Sequence, residues 1–298
     1  MWDEYQLNRR FGCELAFVEM LNCRSISHKS RRTRQMLSTD FKDRPLGIQL
    51  LGCEPGFIRK AMDVLGGYEF DILDFNAACP AKKVVRRGEG AGLLREPKKL
   101  SKILKLVVEN SRVPVSVKIR IGWDKSSVNA RQVALLAQDA GISALFIHGR
   151  TKVQGYSGQV DYAVIRQVKR ALEIPLSASG DIFSPALIKQ MFTETGCDAV
   201  AVARGALGNP WIFRETEYFL KHGRLLDKPE RDEIIETMIG HLDACVDFYG
   251  ERIGVVKFRK FFAWYTKGFR KVRPLREKLS RLKSKEELID TIKKCLFL

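Results

Sequence analysis

Residues 72–80 of the chain read Ile72-Leu73-Asp74-Phe75-Asn76-Ala77-Ala78-Cys79-Pro80. A mostly apolar run ends at Asn76, two alanines follow, and Cys79 is followed at once by a proline. Because proline has a fixed φ angle and no backbone N–H, a sheet ladder cannot continue past Pro80. This stretch therefore predicts a buried strand that ends in a loop carrying Cys79, next to the basic residues within 82–87.

Six other segments have the same strand-like character and alternate with helical patterns. The seven predicted strands cover residues 14–20, 45–50, 70–75, 115–119, 144–148, 175–179 and 199–202. Strands in steady alternation with helices are typical of parallel β/α units.

Polar residues recur at or near the C-terminal ends of these strands, at intervals of 23 to 42 residues: Gln49, Asn76, Lys118, His148, Asp181 and Arg204. In a (β/α)8 barrel all the C-terminal strand ends meet at one mouth, whereas a doubly wound sheet recruits fewer strands to its ligand site. Polar groups on six strand ends favour an α/β fold of the TIM (β/α)8 barrel type. Only seven of its eight strands can be read.

The pattern changes after residue 228, where strands end and helices are predicted over 230–249, 251–267 and 274–296. We therefore expect a catalytic barrel domain over 1–228 and a separate helical domain over 229–298. Residues 252–285 contain 13 Lys or Arg and one acid, Glu277, with aromatic residues between them. A solvated charged face is the plainer interpretation. This density of cations nevertheless favours nucleic acid, and a membrane surface fits less well because the aromatic residues resemble bundle core positions.

The composition also favours a nucleic-acid partner. The 298 residues include 52 Lys and Arg against 35 Asp and Glu, a net charge of +17, which suggests a polyanionic partner. No apolar run approaches the roughly 20 residues of a membrane span, and the N-terminus is too polar for a signal peptide. The seven cysteines are widely spaced and form no C-x-x-C pair, which argues against a disulfide framework and a structural zinc site. We expect a cytoplasmic protein without a membrane segment or a metal.

Four strands offer ligand-binding groups, each with a plainer alternative. Gly180-Asp181 and Arg204-Gly205 follow the last two strands, where barrels often bind phosphate, although the glycines could serve only tight turns. Lys118 interrupts an apolar strand and points either into the mouth or outward to solvent. His148 precedes Gly149-Arg150 and is either a ligand contact or a structural histidine.

Cys79 is the sharpest candidate for chemistry. Free cysteines are usually buried filler, yet this one is predicted on a mouth loop beside several cations. A thiol there could donate a proton or act as a nucleophile, and the residues alone leave both roles open.

Four motifs carry a family resemblance, in the order Asn76-Ala77-Ala78-Cys79-Pro80-Ala81-Lys82-Lys83-Val84, Val117-Lys118-Ile119-Arg120-Ile121-Gly122-Trp123, His148-Gly149-Arg150-Thr151 with Gln154-Gly155-Tyr156-Ser157-Gly158, and Ala203-Arg204-Gly205-Ala206-Leu207-Gly208-Asn209-Pro210-Trp211. Over nearly its whole length the sequence resembles the bacterial tRNA-dihydrouridine synthases. The resemblance implies an FMN-containing TIM barrel, a helical tRNA-binding domain, and NADPH as the electron donor.

The resemblance also implies roles for individual residues. Cys79 falls on the general acid, which would protonate carbon 5 of a uridine after hydride reaches carbon 6. Substrate-binding positions are Asn76, Arg120 and Arg150. Flavin-binding positions are Gln49, Lys118, His148, Ser179, Gly180, Asp181, Ala203 and Arg204.

Three features depart from the family pattern. The family has Asn where this chain has Ser179 and Gly where it has Ala203, and a serine cannot replace the paired donor and acceptor of an amide. The family also opens with a strand ending in an Ala-Pro-Met-x-Gly type motif, which is not found here. We expect a start codon placed too far downstream or a truncated chain.

We expect the enzyme to be a monomer. Two functions other than tRNA uridine reduction are also consistent with the sequence. One is a small-molecule FMN reductase of the dihydroorotate or dihydropyrimidine dehydrogenase kind, which would not need the basic helical segment. The other is a non-catalytic RNA-binding protein, if the first strand is truly absent.

Overall fold

The computed structural model describes residues 7–28, 30–38, 43–279 and 281–297. The strands in these ranges are β1 (Ala16–Phe17), β2 (Leu21–Asn22), β3 (Leu46–Leu51), β4 (Ile72–Ala77), β5 (Val115–Arg120), β6 (Ala144–His148), β7 (Leu176–Ser179) and β8 (Ala199–Val200). The α-helices are Cys23–Ser27, Arg31–Met36, Pro55–Leu65, Lys82–Val85, Pro97–Glu109, Ala130–Asp139, Tyr162–Ala171, Pro185–Thr195, Ile212–His222, Arg231–Tyr249, Glu251–Tyr265, Arg273–Leu279 and Lys285–Lys293.

All strands belong to one parallel sheet. Its order is β1-β3-β4-β5-β6-β7-β8, with β2 also pairing with β3, and in the described part of the chain β1 and β8 do not pair with each other. Successive outer helices contact each other in chain order, as in a barrel: Pro55–Leu65, Pro97–Glu109, Ala130–Asp139 and Tyr162–Ala171. The predicted fold class, a TIM-type α/β barrel with a helical C-terminal region, is confirmed.

The seven predicted strands are present, with one shift that affects the site. β4 begins and ends two residues later than predicted, because Asn76 and Ala77 still pair with Lys118 and Ile119 of β5. Asn76 therefore lies inside the ladder, and its side chain has a fixed direction.

The two faces of β4 differ in polarity, as the alternation of a strand requires. Leu73, Phe75 and Ala77 are fully buried apolar residues, whereas Asp74 and Asn76 alternate with them and lie on the opposite face. The outer helices cover the apolar face with stripes of their own. Pro97–Glu109, for example, buries Leu100, Ile103, Leu104, Leu106 and Val107.

Two aromatic rings meet across the interior of the barrel. Phe17 of β1 meets Phe146 of β6 edge to face, with ring centroids 5.4 Å apart. Gly47 of β3 leaves room for Phe17, since a Cβ at this position would lie 2.2 Å from the ring.

The chain divides into two compact units. The barrel unit comprises the described residues of Glu14–Ile182 and Leu187–Val202, and the helical unit those of Met1–Cys13, Phe183–Ala186 and Ala203–Leu298. The domain boundary at residue 228 stays a prediction.

The helical unit has its own apolar core. Aromatic residues of Glu251–Tyr265 form much of it, namely Phe258, Phe261, Phe262 and Tyr265. The helix predicted over 274–296 is two helices, because Ser284 begins Lys285–Lys293 with a reciprocal cap to Glu287. Among the residues described, no helix is long and apolar enough to cross a membrane.

Candidate active site

A row of polar side chains lies toward the C-terminal ends of the strands of the barrel unit. The parallel register places Asn76 opposite Lys118 and Arg120 opposite His148. The same register places His148 opposite Ser179 and Gln49 opposite Asp74. Five neighbouring strands, β3 to β7, thus bring together most of the site residues that the sequence predicted in this unit.

Asp74 lies beneath this row and was not among the predicted site residues. Its carboxylate is 1% exposed and accepts hydrogen bonds from Ser116 Oγ and Gln49 Nε2, both at 2.7 Å. Burial raises the pKa of Asp74 to about 6, although these two hydrogen bonds and the charge of Lys118 oppose the shift. A signal was present in the sequence, because polar residues alternate with apolar ones at 74 and 76 and again at 116, 118 and 120.

Asn76 connects this network to the backbone of Cys79. Its Nδ2 donates to Gln49 Oε1 at 2.8 Å. Its Oδ1 accepts from the backbone N–H groups of Ala78, at 3.0 Å, and Cys79, at 2.8 Å. The observed contacts of Asn76 position the Cys79 loop, and its predicted substrate contact stays a prediction.

The other side of Cys79 is fixed by the loop that follows. The Cys79 carbonyl accepts the Ala91 N–H at 3.1 Å. Gly90 has a φ of +58°, and a Cβ there would lie 2.8 Å from the Cys79 carbonyl oxygen. Glu89 anchors the same loop to β2 by accepting hydrogen bonds from Asn22 Nδ2 at 3.2 Å. Cys79 is thereby held half-buried at the strand end.

Lys118 and His148 have unused hydrogen-bonding capacity at the same strand ends. Burial lowers the pKa of Lys118, and within the described residues its ammonium makes no hydrogen bond. Burial, with the positive charges of Arg120 and Lys118, lowers the pKa of His148 to about 3, so the ring is neutral at neutral pH. The buried Nε2 of His148 has no hydrogen-bond partner among the described residues. Buried polar groups are normally paired, so this nitrogen and the ammonium fit a polar ligand.

Arg120 is held by backbone carbonyl groups. It is 2% exposed and donates to Ala78 O at 2.8 Å, Thr151 O at 3.0 Å and Gly155 O at 2.8 Å. Burial lowers its pKa, and the neighbouring Tyr156 and Cys79 oppose this shift. The guanidinium therefore ties the Cys79 loop to the loop after β6.

Arg150 is also engaged by the protein itself. It is 1% exposed, donates to Gly158 O at 2.6 Å, and forms a two-point ion pair with Asp181. Asp181 follows Gly180, and both have positive φ angles, +134° for Gly180 and +51° for Asp181. Arg150 thus fixes the turn after β7. The substrate role of Arg150 and the flavin role of Asp181 stay predictions.

Tyr156 is an aromatic residue of the site that received no role from the sequence. Its ring is 60% exposed, lies 5.6 Å from the Arg120 guanidinium and meets the edge of His148 at 6.3 Å. Two positive-φ glycines, Gly155 and Gly158, flank it in the loop after β6. The sequence signal that could have identified Tyr156 was an aromatic residue between two glycines in the loop that follows His148.

The remaining predicted flavin residues have individual settings. Ser179 donates from Oγ to the Ile147 carbonyl at 3.0 Å, so its hydroxyl proton is already used. Ala203 and Arg204 belong to the helical unit, where both are exposed and the Arg204 guanidinium lies 5.4 Å from the Phe183 ring. The flavin roles of these three residues stay predictions.

The basic segment of the helical unit separates its apolar and charged groups. Most of the aromatic residues pack inward, although Trp264 is exposed, while most of the cations point to solvent. The exposed cations are Arg252, Lys260, Lys267, Arg270, Lys271, Arg273, Lys278, Arg281 and Lys283. Of these, within the described ranges, only Arg273 forms an ion pair, with Glu277 at 2.9 Å. Arg276 differs, because it donates to the carbonyl groups of Thr266 and Ala263 at the end of Glu251–Tyr265.

Known proteins resemble this chain over almost its full length. The family model described as "Dihydrouridine synthase (Dus)" matches residues 5–297. The tRNA-dihydrouridine synthase B of Xanthomonas axonopodis pv. citri is 40% identical over 261 residues, which cover 88% of this chain and 79% of that protein. The protein of the same name from Vibrio cholerae is 34% identical over 287 residues, covering 96% and 89%.

A solved structure shares the fold at much lower identity. The histamine dehydrogenase from Rhizobium sp. 4-9 superposes with a TM-score of 0.57 and 10% identity, over 81% of this chain and 46% of that one. This likeness concerns the fold alone. The family match and the identities above are what establish that the chain belongs to the dihydrouridine synthase family.

Proposed function

We propose that this protein is a tRNA-dihydrouridine synthase that uses FMN and NADPH to reduce specific uridines in tRNA to 5,6-dihydrouridine. The proposal draws on the names of the relatives, tRNA-dihydrouridine synthase B, and on the chemistry of the strand ends. The observation that carries it is the presence of Lys118 and His148, both with unused hydrogen-bonding capacity, beside the anchored loop of Cys79.

The donor set fits a flavin. The His148 Nε2 without a partner and the Lys118 ammonium would bind polar edges of the ring system, and the Gly180 turn would lie at its phosphate. When bound, FMN supplies the hydride that adds to the uracil ring, after it is reduced by NADPH. Lys118 would stabilise negative charge on the reduced cofactor, since a cation in a partly buried site acts with little screening.

Cys79 would hold the second hydrogen that the reaction needs. Reduction of the uracil 5,6 double bond requires a hydride at carbon 6 and a proton at carbon 5, and the thiol Sγ–H is the proton source. Asn76 and Arg120 both hold the short segment Ala78–Cys79 and would fix where this proton is presented. A uridine in folded tRNA would have to leave its stack to reach the thiol.

The exposed cations of the helical unit would bind the tRNA backbone. Folded RNA is recognised largely through its phosphates and shape, and Lys and Arg without acidic partners are suited to this. An enzyme acting on tRNA is expected in the cytoplasm. The monomeric state and NADPH, rather than NADH, stay predictions.

The test uses the purified full-length protein. We expect a yellow protein whose released cofactor has the mass of FMN, and NADPH-dependent, multiple-turnover formation of dihydrouridine in unmodified tRNA. Dihydroorotate and free uracil serve as matched small substrates and should give no turnover. A protein that reduces or oxidises these small pyrimidines but leaves tRNA unchanged would refute the proposal, as would one that binds tRNA but no flavin.

A further inference from the structure

Asp74, Gln49, Asn76 and Cys79 are joined by consecutive hydrogen bonds inside the barrel unit. Gln49 Nε2 donates to Asp74 at 2.7 Å, Asn76 Nδ2 donates to Gln49 Oε1 at 2.8 Å, and the Cys79 N–H donates to Asn76 Oδ1 at 2.8 Å. We infer that Asp74 is a positioning residue that, together with the N–H groups of the loop, sets the direction of this chain of hydrogen bonds and so helps to fix the backbone of Cys79.

Neither amide in the middle of the chain has a preferred direction of its own. A carboxamide has an acceptor oxygen at one end and donor hydrogens at the other, and a 180° turn exchanges them with almost no change of shape. The direction must therefore come from the ends of the chain.

At each end of this series of hydrogen bonds the terminal group has only one possible role, donor or acceptor. The backbone N–H groups of Ala78 and Cys79 can only donate, so Asn76 must present its oxygen to them. An ionised carboxylate can only accept, so Gln49 must present its nitrogen to Asp74. Both requirements are met by the same direction, and the reversed chain would bring donors against donors at the loop.

The environment of Asp74 supports this role. The carboxylate is almost fully buried, so an unpaired oxygen would cost free energy. Because the pKa of Asp74 is about 6, the group is mostly ionised at neutral pH. Its other oxygen accepts from Ser116 Oγ at 2.7 Å. A hydroxyl can donate or accept, so Ser116 fits either direction and cannot set it.

The substitution Asp74→Asn would remove the constraint with little change in volume. The new side chain could present oxygen or nitrogen to Gln49, so that only the N–H groups of Ala78 and Cys79 still oppose the reversed direction. In the reversed direction Asn76 turns its nitrogen toward the N–H groups of Ala78 and Cys79, and the loop loses two hydrogen bonds.

The readout is the alkylation rate of Cys79 in the full-length holoprotein, with iodoacetamide as the probe and peptide mass spectrometry for detection. Cys53, which is also half-buried but bonds to the Arg87 carbonyl, is the internal reference. Because one of the two constraints on the direction is removed, and the reversed direction breaks two hydrogen bonds of the loop, we expect Asp74→Asn to raise the Cys79 rate relative to Cys53 severalfold. The control Ser116→Ala removes a hydrogen bond to the same carboxylate but keeps the direction, and its ratio should match wild type.

A double variant separates direction from general damage. In Gln49→Glu with Asp74→Asn, the new carboxylate accepts from residue 74 on one side and from Asn76 on the other, so Asn76 again presents its oxygen to the loop. We expect the wild-type alkylation ratio to return, and this expectation applies even if Asp74→Asn alone does not fold. An unchanged ratio in the single variant, or no recovery of the ratio in the double variant, would overturn the inference.

The role of Cys79 in the reaction rests on the proposed function, but alkylation requires neither tRNA nor turnover. Rescue in the double variant together with a protein that never forms dihydrouridine would retain the positioning role and refute the proposed function. Normal turnover in wild type with no alkylation response to Asp74→Asn would do the reverse.

Discussion

At the level of single residues, Cys79 is held through its backbone, and its side chain is left for chemistry. Asn76 Oδ1 accepts the Cys79 N–H, and the Cys79 carbonyl accepts the Ala91 N–H. Neither backbone hydrogen bond depends on the thiol. Substitution of the side chain should therefore leave the loop in place.

Replacement of Cys79 by alanine tests the thiol directly. We expect Cys79→Ala to keep FMN and tRNA binding, because none of the anchoring hydrogen bonds involves Sγ. Dihydrouridine formation should fall at least about 100-fold, the usual contribution of a positioned general acid. The measurement is the rate of dihydrouridine formation at saturating NADPH and tRNA. A variant with normal multiple turnover would contradict the assignment of Cys79 as the acid, while slow NADPH-driven flavin reduction would indicate damage to the cofactor site instead.

The raised pKa of Asp74 makes a prediction about stability and pH. In the unfolded chain this carboxyl titrates near 3.8, and in the folded protein near 6. Between about pH 4 and pH 6 the unfolded state has lost the proton and the folded state still binds it, so this group disfavours folding increasingly as the pH rises. We expect the free energy of unfolding of wild type, relative to Asp74→Asn, to fall by up to about 3 kcal/mol across this window and then to level off.

The measurement is urea unfolding of both proteins at several pH values from 4 to 8. His148, whose pKa is lowered, has the opposite pH dependence, but it is present in both proteins and cancels in the difference. A difference that is flat or that rises with pH would show that Asp74 is not buried in the ionised state.

The sequence pointed to candidate reactive side chains more readily than to the residues that hold them. Cys79, Lys118 and His148 could be predicted because each interrupts or ends an apolar strand. Asp74 was overlooked because residues 72–75 were interpreted as one apolar run, although the alternation with Asn76 places it inside the barrel. The contacts of Arg120 depend on carbonyl groups of two distant loops, and a strand pattern contains no information about those.

At the level of elements, the pairing of β1 with β3 depends on a glycine. Phe17 pairs opposite Gly47 and its ring occupies the space that a side chain at 47 would need. The same ring contacts Phe146 of β6, so this packing joins β1 to β6 across the barrel interior.

Addition of a methyl group at this position should destabilise the barrel. We expect Gly47→Ala to lower the free energy of unfolding by about 1–3 kcal/mol, because its Cβ would lie 2.2 Å from the Phe17 ring and the packed core cannot shift freely. The matched control is Gly56→Ala, since apart from its chain neighbours and the backbone of its own helix no atom lies within 4 Å of that Cβ position. The control should be neutral or slightly stabilising, as alanine has the higher helix propensity.

A double variant identifies the cause. Phe17→Ala leaves a cavity on its own but removes the atoms that oppose a methyl group at 47. Urea unfolding of Phe17→Ala with Gly47→Ala should therefore give a loss smaller than the sum of the two single losses. Strict additivity would mean that the ring and the glycine do not interact.

Element types were largely predictable, and element ends were less so. The C-terminal end of β4 is decided by pairing with β5, which is a long-range property. The break between Arg273–Leu279 and Lys285–Lys293 could have been read from Ser284 and Glu287, whose spacing is that of a capping box. The pattern predicted one helix because the apolar spacing continues through residue 282.

At the level of the whole molecule, the cations that make up the positive net charge differ in whether they bind other groups of the protein or face solvent. Arg120 and Arg150 are buried and satisfied by carbonyl groups and a carboxylate, and Arg276 closes the end of a helix. Their observed contacts are with the protein itself, and a count of charges cannot distinguish such cations from the rest; the substrate roles of Arg120 and Arg150 stay predictions. The exposed Lys267, Arg270 and Lys278 have no ion pair among the described residues and are available to an anionic partner.

Two triple variants with the same change of net charge test where tRNA binds. We expect Lys267→Ala, Arg270→Ala and Lys278→Ala together to weaken tRNA binding and to reduce the slope of log affinity against log salt by about 2–3, roughly one unit for each phosphate that is no longer neutralised. The control removes Lys98, Lys102 and Lys105, three exposed cations of Pro97–Glu109 in the barrel unit. Its salt slope should stay near that of wild type, because removing three charges alone affects only the weak, long-range attraction. The measurement is tRNA binding at several salt concentrations. An equal decrease in both variants would mean that affinity follows total charge, and that the helical unit is not a dedicated tRNA-binding surface.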